Sequence, residues 1–272
     1  MMKSRLIAAP YVFWMTVFVV APLILVTFFA FTDKSGRFTV DNFALMTDFG
    51  PIFTRSFILA FFATVICLSL GYPLAFILSK QHVRYQPFFV MLIMLPMWMN
   101  FLLRTYAWMS ILENNGFLNK FLSFLHLPTV SIINTPAAVL LGMVYNYLPF
   151  MVLPIYNVLI KIDARLIEAA QDLGANRFLV FTRVTLPLSL PGVLSGITMV
   201  FVPAVSTFII STMLGGGKSM MVGDLIEKQF VGAAYNPRLG SAISLFMMVL
   251  IIICMSIMNR FDGNDGEEVL MP

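Results

Sequence analysis

Glu168-Ala169-Ala170-Gln171-Asp172-Leu173-Gly174, followed by Val184-Thr185-Leu186-Pro187, is a polar island in an otherwise apolar chain. Read locally, Asp163 caps a helix from Ala164 to Leu173, and Gly174 stops it. Ten residues make a rod of about 15 Å, long enough to project from a membrane surface. Leu166, Ala169, Ala170 and Leu173 share one face, which the two alanines flatten enough for close approach by a partner surface. Glu168 and Asp172, one helical turn apart, set acid beside that face. A second helix is expected from Arg177 to Val184, capped by Asn176, before Pro187 and Pro191 open the next apolar run.

Around this island the composition is that of a membrane protein. The 272 residues are 60% hydrophobic and 11% charged, where soluble chains carry about 25% charge. A helix needs about 20 apolar residues to cross the hydrocarbon layer. Six runs reach or approach that length: 9–31, 55–79, 88–108, 137–160, 188–212 and 239–258. They are continuous rather than alternating, which selects helices over a barrel. The first run follows Lys3 and Arg5 and exceeds the 7–15 residues of a signal-peptide core, so it is expected to stay as a span. Asn100 and Arg104 interrupt the third. Arg104 would cost about 2.5–3.5 kcal/mol at a span centre, and a tie to backbone carbonyls or to a partner subunit is expected. Residues 111–133 mix Leu112, Phe117, Leu118, Phe121, Leu122 and Leu125 with polar residues, the pattern of a short helix lying on the membrane surface.

An even number of spans places both termini on one side. With that side cytoplasmic, nine basic residues fall inside and eight outside, too small a bias to orient the chain by the positive-inside rule. Orientation therefore rests on the 161–187 loop. Gly192-Val193-Leu194-Ser195-Gly196 is a small-xxx-small pattern suited to close helix contact. Pro149 and Pro154 in the fourth run and Pro203 in the fifth free backbone carbonyls at depth, making these helices the first candidates to line a pathway.

Other chemistries find little support. Cys67 and Cys254 lie inside apolar runs and read as small hydrophobes. His82 and His126, the only histidines, lack a nucleophile and acid at hand in a span, so no enzyme activity is expected. Gly217-Lys218-Ser219 imitates the end of a phosphate-binding loop, but Thr212 stands where that loop needs glycine. The net charge of +4 is scattered and forms no stripe for nucleic acid. Ion-coupled carriers place ionisable groups within the membrane, and these spans hold almost none.

The polar island fits the pattern E-A-A-x3-G-x9-I-x-L-P, with Val184 in the isoleucine position. Over nearly its whole length the chain resembles the permease subunits of type I ABC importers. Within them it is most similar to the B-type permeases of spermidine/putrescine transporters. The narrower likeness lies in Pro96-Met97-Trp98-Met99-Asn100, Arg104-Thr105-Tyr106-Ala107-Trp108, Asn115-Gly116-Phe117-Leu118-Asn119 and 147–156, and in Gly215-Gly216, Gly223-Asp224-Leu225-Ile226 and Gln229-Phe230.

The resemblance implies an all-α polytopic fold in a prokaryotic inner membrane: six transmembrane helices, with a cytoplasmic coupling helix between spans four and five. It divides the chain into a first span and exterior loop (1–52), the permease domain (53–258, coupling loop 161–187) and a short acidic tail (259–272). It implies that Glu168, Ala169, Ala170, Asp172, Gly174, Leu186 and Pro187 engage an ATPase. Implied partners are a C-type permease, two ATPase copies that use ATP and Mg, and an exterior polyamine-binding protein; no cofactor is bound by this chain. A polycation calls for carboxylates and aromatic faces, so candidates for its route are Trp98, Tyr106, Trp108, Tyr145, Tyr147, Asp224 and Glu227. Trp and Tyr also gather at membrane interfaces for reasons unrelated to substrate. Asp224 and Glu227 equally suit a solvated helix face that meets the binding protein. Uptake of another small solute fits the same residues.

Overall fold

A computed structural model describes residues 10–232 and 235–262. Lys3, Arg5 and most of the expected acidic tail 259–272 lie outside them. The described residues are helical apart from turns, irregular connections such as 127–132, and one isolated antiparallel bridge, Thr32 to Phe38. Among the described residues, five helices have the length and apolarity to cross a membrane: Pro10–Ala30, Asp41–Ser79, Pro136–Leu159, Arg177–Ser206 and Pro237–Met258. A sixth crossing requires counting a bent pair as one span.

The helices are α1 (Pro10–Ala30), α2 (Asp41–Leu45), α3 (Gly50–Ser79), α4 (Gln86–Trp98), α5 (Phe101–Leu112) and α6 (Phe117–Phe124). They continue with α7 (Pro136–Leu159), α8 (Ala164–Asp172), α9 (Arg177–Ser206), α10 (Ile209–Gly215), α11 (Val222–Phe230) and α12 (Pro237–Asp262). Two compact units result. One takes the described part of Met1–Phe53 with Leu225–Ile253; the other takes Thr54–Asp224 and the described part of Cys254–Pro272.

In the first unit α1 is apolar on every side and none of its most apolar stretch is buried, as for a helix solvated by lipid. Its end is tied to α2 by the Asn42 amide, which donates to the Ala30 carbonyl at 2.9 Å and the Thr32 carbonyl at 3.3 Å. Phe31 stacks on Phe38 at 5.7 Å. At the other end of this unit, Gly240 lets α12 approach α11, where a Cβ would stand 2.9 Å from the Gln229 Cβ.

The second unit is organised on α7 against α9. The α7 face Met143, Met151, Val152 and Ile155 is fully buried. Facing it, a Cβ on Gly192 would lie 2.8 Å from the Pro154 carbonyl oxygen, and one on Gly196 2.8 Å from the Met151 sulfur. The small-xxx-small pattern therefore does what its spacing predicts: it brings two helix backbones into contact. Gly192→Ala is expected to force the helices apart and destabilise the protein by about 1–3 kcal/mol, read as a lower midpoint in detergent thermal unfolding. Gly196→Ala meets a flexible methionine end first and is expected to cost less. Both cysteines are free, and Cys67 is fully buried.

Two expectations need correction. The run 88–108 is not one straight span. Helix α4 ends at Trp98 and the chain turns through 86° into the helical segment that begins at Phe101. Asn100 supplies the cause: its side-chain oxygen accepts from the Leu102 N–H at 2.8 Å, an N-cap that starts a new helix inside the apolar run. The short helix expected within 111–133 forms at Phe117–Phe124. The fifth span does not reach residue 212; α9 ends at Ser206, Thr207 is extended, and Ile209–Gly215 forms a separate helix.

The loop after the coupling segment also differs. Instead of a helix that stops at Val184, α9 runs unbroken from Arg177 through Pro187 and Pro191 to Ser206. A wider π turn at Phe181–Thr185 makes this possible, with the Leu186 N–H bonding back five residues to Phe181. The turn directly precedes Pro187, whose ring in an α register would press on a carbonyl four residues back. The same device occurs in α1, where a π turn at Thr16–Val20 precedes Pro22.

Candidate functional site

Helix α8 forms where expected. The Asp163 carboxylate accepts from the Arg165 N–H at 2.9 Å and caps its start. At its end Gly174 is left-handed with φ +84°. The Gly174 N–H donates to the Gln171 carbonyl at 2.8 Å and the Ala175 N–H to the Ala170 carbonyl at 3.0 Å, the paired bonds that satisfy a helix end through a glycine turn. Asn176 then caps α9, its side-chain oxygen accepting from the Leu179 N–H at 2.8 Å. Two capped helices thus meet at one turn, and each end is set by a residue type visible in the sequence.

The outward side of this elbow is apolar and uncovered. Leu173 is 89% exposed; Leu166 and Ala169 are exposed beside it, and Ala170 is half-buried. Glu168, Asp172 and Gly174 are exposed as well. A Cβ added at Gly174 would meet nothing within 4 Å. The glycine is therefore demanded by backbone handedness and leaves open space around it. Farther along, Leu186 is half-buried and Pro187 exposed on α9; they belong to the root of the elbow rather than to its tip.

The inward side of α8 escaped the sequence reading. Ile167 and Gln171 face a cavity of about 490 Å³ whose other walls are Phe76 and Lys80 from the end of α3 and Arg177, Phe178, Val180, Phe181 and Thr185 from α9. Phe181 meets Phe76 and Tyr72 edge to face, both at 84°. The i, i+4 spacing of Ile167 and Gln171 was the available signal. Only the position of α3 reveals which side of α8 turns inward.

The candidate residues for a substrate route differ in their surroundings. Trp98 and Tyr106 are largely exposed, while Trp108 packs edge to face on Tyr145 at 5.2 Å. Tyr147 is buried, and its hydroxyl donates to the Pro203 carbonyl at 3.3 Å. That carbonyl is one of the last four of α9 and lacks a helical partner because the helix stops at Ser206. Glu227 is exposed.

Asp224 is not on a solvated face. It is 2% exposed and accepts from the Thr212 hydroxyl and, at 2.7 Å, from the Met221 N–H. With Met221 at the start of α11, this is the acid half of a capping box, reaching back from the third helical residue. Ser56 accepts from the next N–H, Val222, at 2.8 Å. The sequence hid the box because methionine stands where a capping hydroxyl is usual. Gly223 lies so close to the ends of α9 that a Cβ there would collide with the Ser206 and Thr207 carbonyls.

Arg104 lacks the backbone half of its expected tie at two of its nitrogens. It is 8% exposed, its Nε and Nη1 have no acceptor among the described residues, and its guanidinium lies 5.6 Å from the Phe101 ring centroid. At these two nitrogens the guanidinium makes a cation–π contact in place of a carbonyl tie, and a tie to a partner subunit stays an expectation. The phosphate-loop imitation is a left-handed turn, with Gly216 at φ +54° and Gly217 at φ +76°, whose Lys218 carbonyl accepts from Arg55 at 2.8 Å.

Residues 71–262 match the family described as binding-protein-dependent transport system inner membrane component. The chain is 38% identical over 260 residues to the spermidine/putrescine transport system permease protein PotB of Haemophilus influenzae, covering 91% of this chain and 90% of that one. It is 35% identical to the protein of the same name from Escherichia coli, covering 87% and 90%. Among solved structures, a chain of a bacterial ABC transporter involved in import of the acidic polysaccharide alginate superposes with a TM-score of 0.82. That alignment covers 97% of both chains at 17% identity, so the likeness is one of fold.

Proposed function

The chain belongs to the family of binding-protein-dependent transport system inner membrane components, and from that membership we propose that it is one permease of an ATP-driven importer of polyamines. The observation that carries the coupling part is the elbow at Gly174: a capped helix whose apolar side is uncovered and whose turn leaves room for a partner's surface. Glu168, Ala169, Ala170, Asp172 and Gly174 form the docking tip on an ATPase subunit; Leu186 and Pro187 anchor it to the fifth span. ATP binding and hydrolysis in that subunit, with its Mg, tilt the tip, and α9 transmits the motion to its contact with α7.

The cargo follows from the relatives named for spermidine and putrescine. A second, C-type permease completes the pathway, two ATPase copies occupy the inner side, and an exterior binding protein delivers substrate. The 161–187 loop then faces the cytoplasm together with both termini. Glu227 and the Trp108–Tyr145 pair suit a polycation better than the buried Asp224 does, because they retain accessible surface.

The test is uptake by the complete transporter in sealed vesicles. Labelled spermidine is expected to accumulate only with ATP inside the ATPase compartment and with binding protein on the opposite side. Competition with unlabelled putrescine ranks the two. Accumulation without ATP would overturn the ATP-driven reading in favour of a carrier, and binding-protein-dependent transport of an unrelated solute that polyamines do not compete with would overturn the cargo.

A further inference from the structure

We propose that the cavity behind α8 is a binding site for an anionic phospholipid that braces the coupling helix from inside. The cavity, of about 490 Å³, has walls that are mainly aromatic and aliphatic, among them Phe76, Phe181 and Ile167. Two cations, Lys80 and Arg177, line it, and no carboxylate does. Lys80 Nζ stands 5.6 Å from the Phe76 ring centroid, and neither cation pairs with an acid among the described residues.

Their place in the chain matters as much as their charge. Lys80 is the first residue after the span that ends at Ser79, and Arg177 is the first residue of the span Arg177–Ser206. Both therefore sit at the end of a membrane-crossing helix on the side that carries the 161–187 loop. Basic pockets between helices on that side of a membrane attract anionic headgroups. A phosphodiester placed at Lys80 and Arg177 would lay its acyl carbons along Phe76 and Phe181. A free inorganic anion would satisfy the cations and leave the apolar walls wet; a zwitterionic lipid would satisfy the walls and bring its own ammonium against the cations. Anionic phospholipid alone matches both halves.

Because Ile167 and Gln171 form the wall opposite α3, an occupied cavity supports α8 against an inward collapse when its outer face is loaded. The binding itself needs only the membrane fold; the bracing consequence rests on the coupling role given to α8.

The experiment measures lipid retention in the absence of substrate and nucleotide, so it fails or succeeds independently of transport. The full chain, with the subunits it assembles with, is taken from vesicles of mixed phosphatidylglycerol and phosphatidylcholine, delipidated stepwise and read by native mass spectrometry. The wild type is expected to keep phosphatidylglycerol and release phosphatidylcholine. Lys80→Gln with Arg177→Gln is expected to lower retained phosphatidylglycerol about ten-fold or more. Ile167→Trp, which fills the cavity and leaves both cations, is expected to lower it as well. Arg84→Gln with Arg183→Gln, outside the cavity, is the control and is expected to change nothing. Equal retention of the two lipids, unchanged retention in the cavity variants, or an equal loss in the control pair would overturn the site. Release of lipid by added inorganic phosphate alone would replace it with a simple anion site.

Discussion

Gly174→Asp is expected to abolish ATP-driven uptake while the protein still reaches the membrane at a normal level. Gly174 has φ +84°, and a side chain in the left-handed region costs roughly 1–2 kcal/mol. That is small against the 5–15 kcal/mol that holds a folded domain together. Nor does a Cβ at this position collide with the chain itself, since nothing lies within 4 Å. The loss is therefore expected from what approaches the turn from outside. An aspartate there adds bulk in the open space and a third negative charge near Glu168 and Asp172. Gly174→Asn separates the two causes, because asparagine tolerates the left-handed region and carries no charge. Partial uptake is expected for Gly174→Asn and none for Gly174→Asp, with equal amounts of both in the membrane by immunoblot. Normal uptake by Gly174→Asp would remove the elbow from ATPase docking.

Asp224→Ala is expected to act on the fold and not on the substrate route. The carboxylate is buried and serves the Thr212 hydroxyl and the Met221 N–H. Removing it strands two buried donors, each at about 1–3 kcal/mol, and takes a negative charge from the start of α11, where the helix dipole favours one. A destabilisation of about 2–5 kcal/mol is the expected result, visible as a lowered thermal midpoint and a smaller yield from the membrane. Glu227→Gln, three residues on and exposed, is expected to leave both unchanged, so any change in spermidine KM in that variant reads the route directly. A combined Asp224 and Glu227 variant would confuse the two effects. Should Asp224→Ala prove as stable as the wild type, the capping role would be wrong and a direct role for Asp224 would regain its place.

The elbow was legible in the chain because each of its parts is local. Asp163 and Asn176 cap by reaching two or three residues ahead, and Gly174 is chosen by the handedness of its own backbone. Gly192 and Gly196 were legible for a different reason: a pair of small residues one turn apart has few uses in an apolar helix other than close packing. Asn100 shows the limit. Its capping role is as local as that of Asn176, yet the surrounding apolar run outweighed it and concealed the turn that follows Trp98. The π turns before Pro22 and Pro187 were concealed too, since proline forecasts a helix boundary and the wider turn lets the helix continue through it.

By itself the sequence determined that this chain crosses a membrane as helices, where its principal polar elbow begins and ends, and to which family it belongs. These follow from transfer of apolar runs out of water and from hydrogen bonds spanning a few residues. Only the tertiary structure decided that α8 turns Ile167 and Gln171 toward a cavity and Leu173 away from it, that α9 stops at Ser206, and that Asp224 is a buried cap. Each of these depends on partners far along the chain: Phe76 and Lys80 for the cavity, Tyr147 for the end of α9, and Thr212 for Asp224. A carboxylate in a polar-looking segment reads as exposed until a distant helix closes over it, and neither spacing nor composition records that closure.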